Sequence, residues 1–307
     1  MQICVHTTQA GRRFDKYVRM CLPHLPLSLI YRLIRTAKIS CNEKKTSLNY
    51  LIQPGDVITI PDTPHANGAS STSFIQSDTV TQTPVDLPYM ELWKNKSIVA
   101  VSKHTGVTIQ TSFLDSLQQY ALSNEKHAFH PHPVHRLDTK TSGVLLISRN
   151  LAASQTFNAL FHDRKIIKQY LCLVEGRISK PTNLTDIVFR DKQRAITQIL
   201  SDPNPMGVEA STNITPLSYN KRHNVSLITC IIHTGRTHQI RAQTSHIGHP
   251  IVGDRKYDST WKSSYYALHA HRYTIPKNKC TPAITIEAPI PQHMRNVLLY
   301  FHMNKHL

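Results

Sequence analysis

Along the first sixty positions the apolar residues recur at helical spacing, Phe14, Val18 and Leu22 first, then Leu29, Leu33 and Ile34. This predicts two short helices over Arg12–Leu22 and Leu27–Thr36, with Ser28 near the start of the second. The pattern then shortens into runs. Lys38–Asn42 and Val57–Ile60 read as strands, the second entered through a Pro54-Gly55-Asp56 turn. From 61 to 88 no period survives: Pro61, Pro64, a Ser/Thr run from Ser70 to Thr83, Pro84 and Pro88 predict a flexible linker. Beyond it, strands are expected at Ser97–Ser102, Val144–Ile147, Lys168–Val174, Val225–Ile232 and Ala283–Glu287. Helices are expected around Leu114–Leu122, over Leu151–His162 with Asn150 as N-cap, and over Gln292–His302. Hairpin-like connections with interspersed helices argue for an α+β domain on a mostly antiparallel mixed sheet. The expected organisation is a small domain at 1–60, a linker at 61–88 and a larger domain at 89–307.

Charge sharpens this division. The 307 residues carry 36 Lys and Arg against 19 Asp and Glu, a formal net charge of +17. Residues 1–45 hold nine of the basic residues against Asp15 and Glu43, whereas residues 46–93 hold five acids and no Lys or Arg. Two basic blocks joined by an acidic bridge suit two contact surfaces on one polyanion, and so large a one-signed excess exceeds what solubility needs. On the first two helices Arg12, Lys16, Arg19, Arg32, Arg35 and Lys38 are dense enough for phosphate contact.

In so basic a chain, an isolated acid flanked by cations either caps a turn or takes part in chemistry. His135-Arg136-Leu137-Asp138, followed by Thr141-Ser142-Gly143, is such a place. A second segment runs Thr234-Gly-Arg-Thr-His-Gln-Ile-Arg241, then His246-Ile-Gly-His-Pro250 and Gly253-Asp254-Arg-Lys-Tyr257. A helix over Thr237–Ile247 ended by Gly248 would put His238, Arg241 and Ser245 on one face, and Ile240, Thr244 and Ile247 on a less polar face toward the core.

Together with Lys168-Gln169-Tyr170 and Leu268-His269-Ala270, in this order, these motifs resemble the RluA family of RNA pseudouridine synthases over residues 90–290. Residues 11–60 resemble the S4-type RNA-binding module found ahead of the catalytic domain in several members. The resemblance implies a pseudouridine synthase catalytic domain that isomerises specific uridines in RNA. Ile30–Arg35 and Ile286–Pro289 lean toward large-subunit (23S) ribosomal RNA ahead of transfer RNA. It further implies that Asp138 is the catalytic carboxylate and that Arg241 pairs with it, a close guanidinium holding it ionised. Tyr170, which its strand alone would mark as a core tyrosine, is implied to lie against the target base. Arg136 is the implied wedge that fills the gap left by a flipped nucleotide. RNA contacts are expected from His135, Arg236 and His238, the two histidines alternatively orienting their loops, and from Arg12, Lys16, Arg32 and Arg35 in the first module. Thr141-Ser142-Gly143 is expected to shape the loop presenting Asp138, glycine allowing backbone angles that a Cβ opposes.

Three positions depart from the family pattern. Ser102-Lys103-His104-Thr105-Gly106 lacks the proline of Asn-Lys-Pro-x-Gly, Ala242-Gln243 replaces Val-His, and Phe14 stands where Leu or Ile is common. None touches Asp138, Tyr170 or Arg241.

Breaking and remaking a glycosidic bond within one nucleotide needs no redox equivalent, metal or small-molecule cofactor, so none is expected. His130, His132 and His135, or His246 and His249, have tempting spacings, but no acid or cysteine completes a ligand set. The six cysteines lack a C-x-x-C pair and read as reduced thiols. No signal-like start and no 18-residue apolar stretch occur, predicting a cytoplasmic protein without a membrane partner, and a monomer is expected. The rival classes are a noncatalytic RNA-binding assembly factor, which loss of Asp138, Tyr170 or Arg241 would mark, and a metallohydrolase built on the histidines.

Overall fold

The computed structural model describes residues 2–5, 9–22, 27–61, 89–109, 131–201, 205–303 and 305. The 61–88 linker from residue 62 onward, the helix expected around Leu114–Leu122 and the Ser28 side chain lie outside the described residues. The chain forms two compact units.

In the first unit, β1 (Gln2–Cys4) and β2 (Ser40–Cys41) flank β3 (Val57–Thr59), both antiparallel to it. Helices α1 (Phe14–Cys21) and α2 (Leu27–Arg35) cover this sheet because their apolar stripes share a core with Ile39, Ile52 and Ile58. Phe14, Val18, Leu22, Leu33 and Ile34 are buried, as the helical spacing requires, and Phe14 fits without exposure. Gly55 takes φ +86° in the turn before β3, whose Asp56 carboxylate gathers the Gln53 N–H, Asn42 Nδ2 and the Tyr50 hydroxyl. Lys16, Arg19, Arg32 and Arg35 are exposed. Arg12 differs from expectation: it is half-buried against Tyr17 and Cys21, and desolvation lowers its pKa.

The second unit is one large sheet. Its strands are β4 (Tyr89–Lys94), β5 (Ile98–Lys103), β6 (His132–Pro133), β7 (Ser142–Ser148), β8 (Ile167–Glu175), β9 (Thr182–Asp191), β10 (Ile196–Leu200), β11 (Val208–Asn220), β12 (Val225–Ile232), β13 (Leu268–Ile275) and β14 (Ile284–Glu287). The order across it is β10-β9-β11-β12-β8-β13-β7-β5-β4, with β14 beside β13 and β6 beside β7. Among the described pairings, that of β13 with β7 is the only parallel one. The architecture is α+β, on a mostly antiparallel mixed sheet.

Helix α3 (Leu151–His162) begins where Asn150 Oδ1 accepts the Ala153 N–H at 2.8 Å. It turns Ala153 and Phe157 into the core. Helix α4 (Gln239–His246) follows β12, and α5 (Gln292–Tyr300) closes the chain. The run Tyr170-Leu-Cys-Leu-Val174 is continuously apolar because β8 is buried on both faces. Tyr170, Cys172 and Val174 join the main core, while Leu171 and Leu173 pack under Met294 and Leu298 of α5.

Strands β9 to β11 were not foreseen, for a physical reason. Exposed or half-exposed Asn183, Gln198 and Glu209 interrupt the apolar positions of these strands, and β11 carries Pro216 at a register shift between Pro216 and Ser218. A proline inside a strand is tolerated at such a bulge, where no ladder hydrogen bond is lost.

Gly143 does not lie in the loop that presents Asp138. It sits in β7 at φ +114°, where β13 approaches so closely that a Cβ would lie 2.2 Å from the Ala270 carbonyl oxygen. Gly143→Ala should therefore destabilise the protein by about 3 kcal/mol or more, read as a lower urea midpoint. An unchanged midpoint would contradict this approach of β13 to β7.

Candidate active site

The loop between β6 and β7 carries Asp138, whose side chain is 24% exposed. It is held from two sides. Lys103, fully buried at the end of β5, donates its three ammonium hydrogens to the carbonyls of His104, Val107 and Thr139, at 2.9 to 3.0 Å. The last of these follows Asp138 directly. Burial pushes the Lys103 pKa down to about 7, opposed by the Asp138 charge. On the other side, the Thr141 N–H closes a turn onto the Asp138 carbonyl, Thr141 Oγ1 meets the Tyr266 hydroxyl at 3.1 Å, and Ser142 Oγ meets His269 Nδ1 at 2.9 Å.

Arg241 reaches this carboxylate from α4, with Nη1 3.2 Å from Asp138 Oδ2. Its other edge is bidentate on Asp254, Nη2 donating to Oδ1 at 2.9 Å and Nε to Oδ2. The guanidinium lies between two rings, 4.8 Å from the Tyr257 centroid and 4.5 Å from that of Tyr266. Burial alone would lower its pKa; the Asp254 hydrogen bonds, Tyr266 and the two carboxylates outweigh burial and raise it. Asp138 Oδ1 has no hydrogen-bond partner among the described residues.

The helix starts two residues later than expected because His238 takes φ +56° as its N-cap, and Gly248 ends it at φ +78°. The expected polar face is not exposed. Gln239 through Thr244 are all buried, since Arg241 is enclosed as described and Gln243 bonds Thr212, Asp186 and the Ala210 carbonyl.

His238 belongs with the carboxylate and not with an outer RNA surface: its Nε2 lies 3.8 Å from Asp138 Oδ2. Arg190 Nη1, which can only donate, reaches His238 Nδ1 at 3.3 Å, so Nδ1 is an acceptor and the Tyr257 hydroxyl, 2.8 Å away, donates to it as well. Burial, then Arg241, Arg190 and Lys256, push the imidazole pKa down to about 3, so a neutral ring with its hydrogen on Nε2 faces Asp138. His135 likewise orients its loop. Its Nε2 accepts the Leu146 N–H at 3.0 Å, its ring packs on Phe161 and Tyr273, and burial lowers its pKa to about 3. Of the two roles expected for it, these contacts are those of a residue that orients its loop, and the ring still lines the cleft.

Tyr170 stands on β8 with its hydroxyl 3.0 Å from that of Tyr273, and burial pushes its pKa up to about 12. It is 7% exposed, yet it lines the same cleft of about 1150 Å³ as Asp138, Arg241 and Tyr266. Eight Lys and Arg line this cleft against Asp138 and Asp254 alone. Arg136 and Arg236 are exposed on its wall, Arg236 anchored by its Nε to the Glu209 carbonyl at 2.9 Å. Such a cavity is roomy enough for a nucleotide and positive enough for its phosphates. Among the described residues no group of three or more His, Cys, Asp or Glu could hold a metal ion.

Asp254, Tyr257, Tyr266 and Lys103 had no assigned role in the sequence reading. One signal was available: Asp254, followed by Arg255 and Lys256, is an isolated acid beside cations just as Asp138 is. Asp254→Asn should remove the charge that fixes the buried Arg241 and cost about 3 kcal/mol in urea unfolding. A loss below about 1 kcal/mol, the size of a surface pair, would show that the pair does not anchor the site.

The family model for RNA pseudouridylate synthase matches residues 94–246, a span that holds Asp138, Tyr170 and Arg241. The chain is similar to proteins named ribosomal large subunit pseudouridine synthase C. That of Buchnera aphidicola subsp. Baizongia pistaciae is 29% identical over 94% of this chain and 93% of its own length. That of Rickettsia bellii is 28% identical over 97% and 100%, and that of Vibrio cholerae 25% over 96% and 95%. The solved structure of Human RNA Pseudouridylate Synthase Domain Containing 4 shares the fold, with a TM-score of 0.59 and 20% identity over 70% of this chain and 93% of that one. With this family match, this fold and these relatives along nearly its whole length, the chain belongs to the RNA pseudouridylate synthases, enzymes that isomerise uridine in RNA.

Proposed function

We propose that this enzyme converts specific uridines of large-subunit ribosomal RNA to pseudouridine, with Asp138 as its catalytic carboxylate. The observation that carries the catalytic assignment is the placement of Asp138. One oxygen is held by an arginine that is itself immobilised, the other has no described partner, and both lie in a basic cleft with Tyr170. The reaction is a balanced isomerisation. The bond from C1′ to N1 breaks, the uracil turns, the bond from C1′ to C5 forms, and the proton lost from C5 is matched by one gained at N1.

Each residue has a part in this. Asp138 acts on the flipped nucleotide through the oxygen that Arg241 leaves free, and Arg241 keeps the carboxylate aimed. Tyr170 offers its ring face to the uracil, its neutral phenol tied back to Tyr273. Arg136, exposed beside Asp138, takes the vacated place in the RNA stack. The ribosomal substrate rests on the names of relatives that match over more than nine-tenths of their length.

We also infer that residues 1–60 are an RNA-binding module and 89–307 the catalytic domain. Lys16 and Arg19 on α1 with Arg32 and Arg35 on α2 are exposed and basic, as phosphate contacts need to be.

Chemical mapping of pseudouridine across ribosomal and transfer RNAs, in cells lacking the gene and complemented with wild type or Asp138→Asn, tests the main reading. Sites in large-subunit RNA should vanish on deletion and return only with wild type. Return with the Asn variant would remove Asp138 from the chemistry, and loss confined to transfer RNA would overturn the substrate. Arg32→Glu combined with Arg35→Glu should raise the RNA Kd about tenfold or more and flatten its salt dependence, with turnover at saturating RNA nearly unchanged. Unaltered affinity would contradict the role of α2.

A further inference from the structure

Lys168 has no part in the mechanism so far, yet its position is unusual. It lies on β8 two residues before Tyr170, so the two side chains emerge on the same face of the strand, and both line the cleft. It is only 7% exposed. Its one hydrogen bond among the described residues goes to the Thr234 carbonyl at 3.3 Å, long for an ammonium donor, so two of its three hydrogens have no described acceptor.

No carboxylate pairs with it among the described residues. The charged group acting on it is Arg164, just beyond α3, which repels it. Lys103 offers the contrast: fully buried, it has three carbonyl acceptors. A buried cation without a counter-charge is costly, and chains that keep one commonly use it to receive an anion. Arg164 and Arg236 line the same cleft; Arg164 also lies 3.5 Å from Glu209 Oε1, in a half-exposed pair that a phosphate would have to compete with.

We propose that Lys168, together with Arg164, seats a phosphate of the substrate strand next to the nucleotide that stacks on Tyr170. This rests on the proposed function for the identity of the strand, and the test below separates the two. The seat explains why a buried cation is kept in the cleft: repulsion between Lys168 and Arg164 turns into shared attraction once a phosphate lies between them. Its occupant also fixes where along the strand a uridine meets Tyr170, so the residue sets register as well as affinity.

Burial and then Arg164 push the Lys168 pKa down to about 8, so the seat weakens as pH rises past that value. The groups around it are Arg164 after α3, His135 on the loop entering β7, Tyr170 on β8, Tyr273 on β13, and His233 and Arg236 after β12. Of these, His135 with its pKa near 3, Tyr170 with its near 12 and Tyr273 with its pushed well up by burial do not change charge near pH 8.

The test is equilibrium binding of a short uridine-containing single-stranded RNA to the full chain in an Asp138→Asn background, where turnover does not interfere. Lys168→Met should raise Kd roughly tenfold and reduce the slope of log Kd against log salt by about 0.7, the value for one contact on a single strand. Lys168→Arg should keep the affinity and hold it above pH 8, where the parent with Lys168 loses it. An unchanged salt slope in Lys168→Met would overturn the seat, even if affinity falls, because the contact would then not be to phosphate. Should Lys168→Met fail to fold, the pH comparison decides alone: identical pH dependence of the Lys and Arg proteins overturns the proposal. Pseudouridine formation by the wild type is scored separately. Its absence would defeat the functional reading while leaving the salt and pH results to decide on Lys168.

Discussion

The site depends on a guanidinium that has nowhere else to go. Arg241 is clasped by Asp254 along one edge, covered by Tyr257 and Tyr266 on its faces, and left with one nitrogen to offer Asp138. An exposed arginine samples many rotamers and holds a carboxylate weakly, whereas this one has given up that freedom on folding. The position of Asp138 is therefore set before any substrate arrives. Such preorganisation lets an electrostatic contact act without reorganising during the reaction. The order of dependence runs outward: Asp254 fixes Arg241, Arg241 fixes one oxygen of Asp138, and the other oxygen is available.

The surroundings serve the same end by withholding charge. His238 and His135 flank the carboxylate loop, and both are kept neutral by burial. Tyr170 and Tyr266 are kept protonated by the same cause, their pKa values pushed up rather than down. Burial moves the two lysines of this region the other way, Lys103 to about 7 and Lys168 to about 8, so they and not the rings are the groups that exchange protons near neutral pH.

Local features of the fold were legible and long-range ones were not. The cap at Asn150 and the helix after it could be read because cap, period and end lie within a few residues. The two-faced burial of β8 showed as an unbroken apolar run, but that run could not separate a core tyrosine from a base-stacking one. Tyr170 is buried and faces the cleft at once, so its role came only through resemblance. Asp254 belongs to the site solely because the chain returns after α4 to meet Arg241, a contact with no trace in spacing. Lys103 was passed over because a lysine ending an apolar strand normally points to water, and here three carbonyls converge on it.

The pairing of β13 with β7 joins two sets of strands that are otherwise connected antiparallel, and Gly143 is the point of closest approach. Asp138 enters from the β7 side of this junction, while β8 with Tyr170 lies on the β13 side. The pairing joins residues more than a hundred positions apart, the kind of contact whose loop-closure entropy is met late in folding. The carboxylate and the tyrosine therefore stand in one cleft only where these distant segments close on each other.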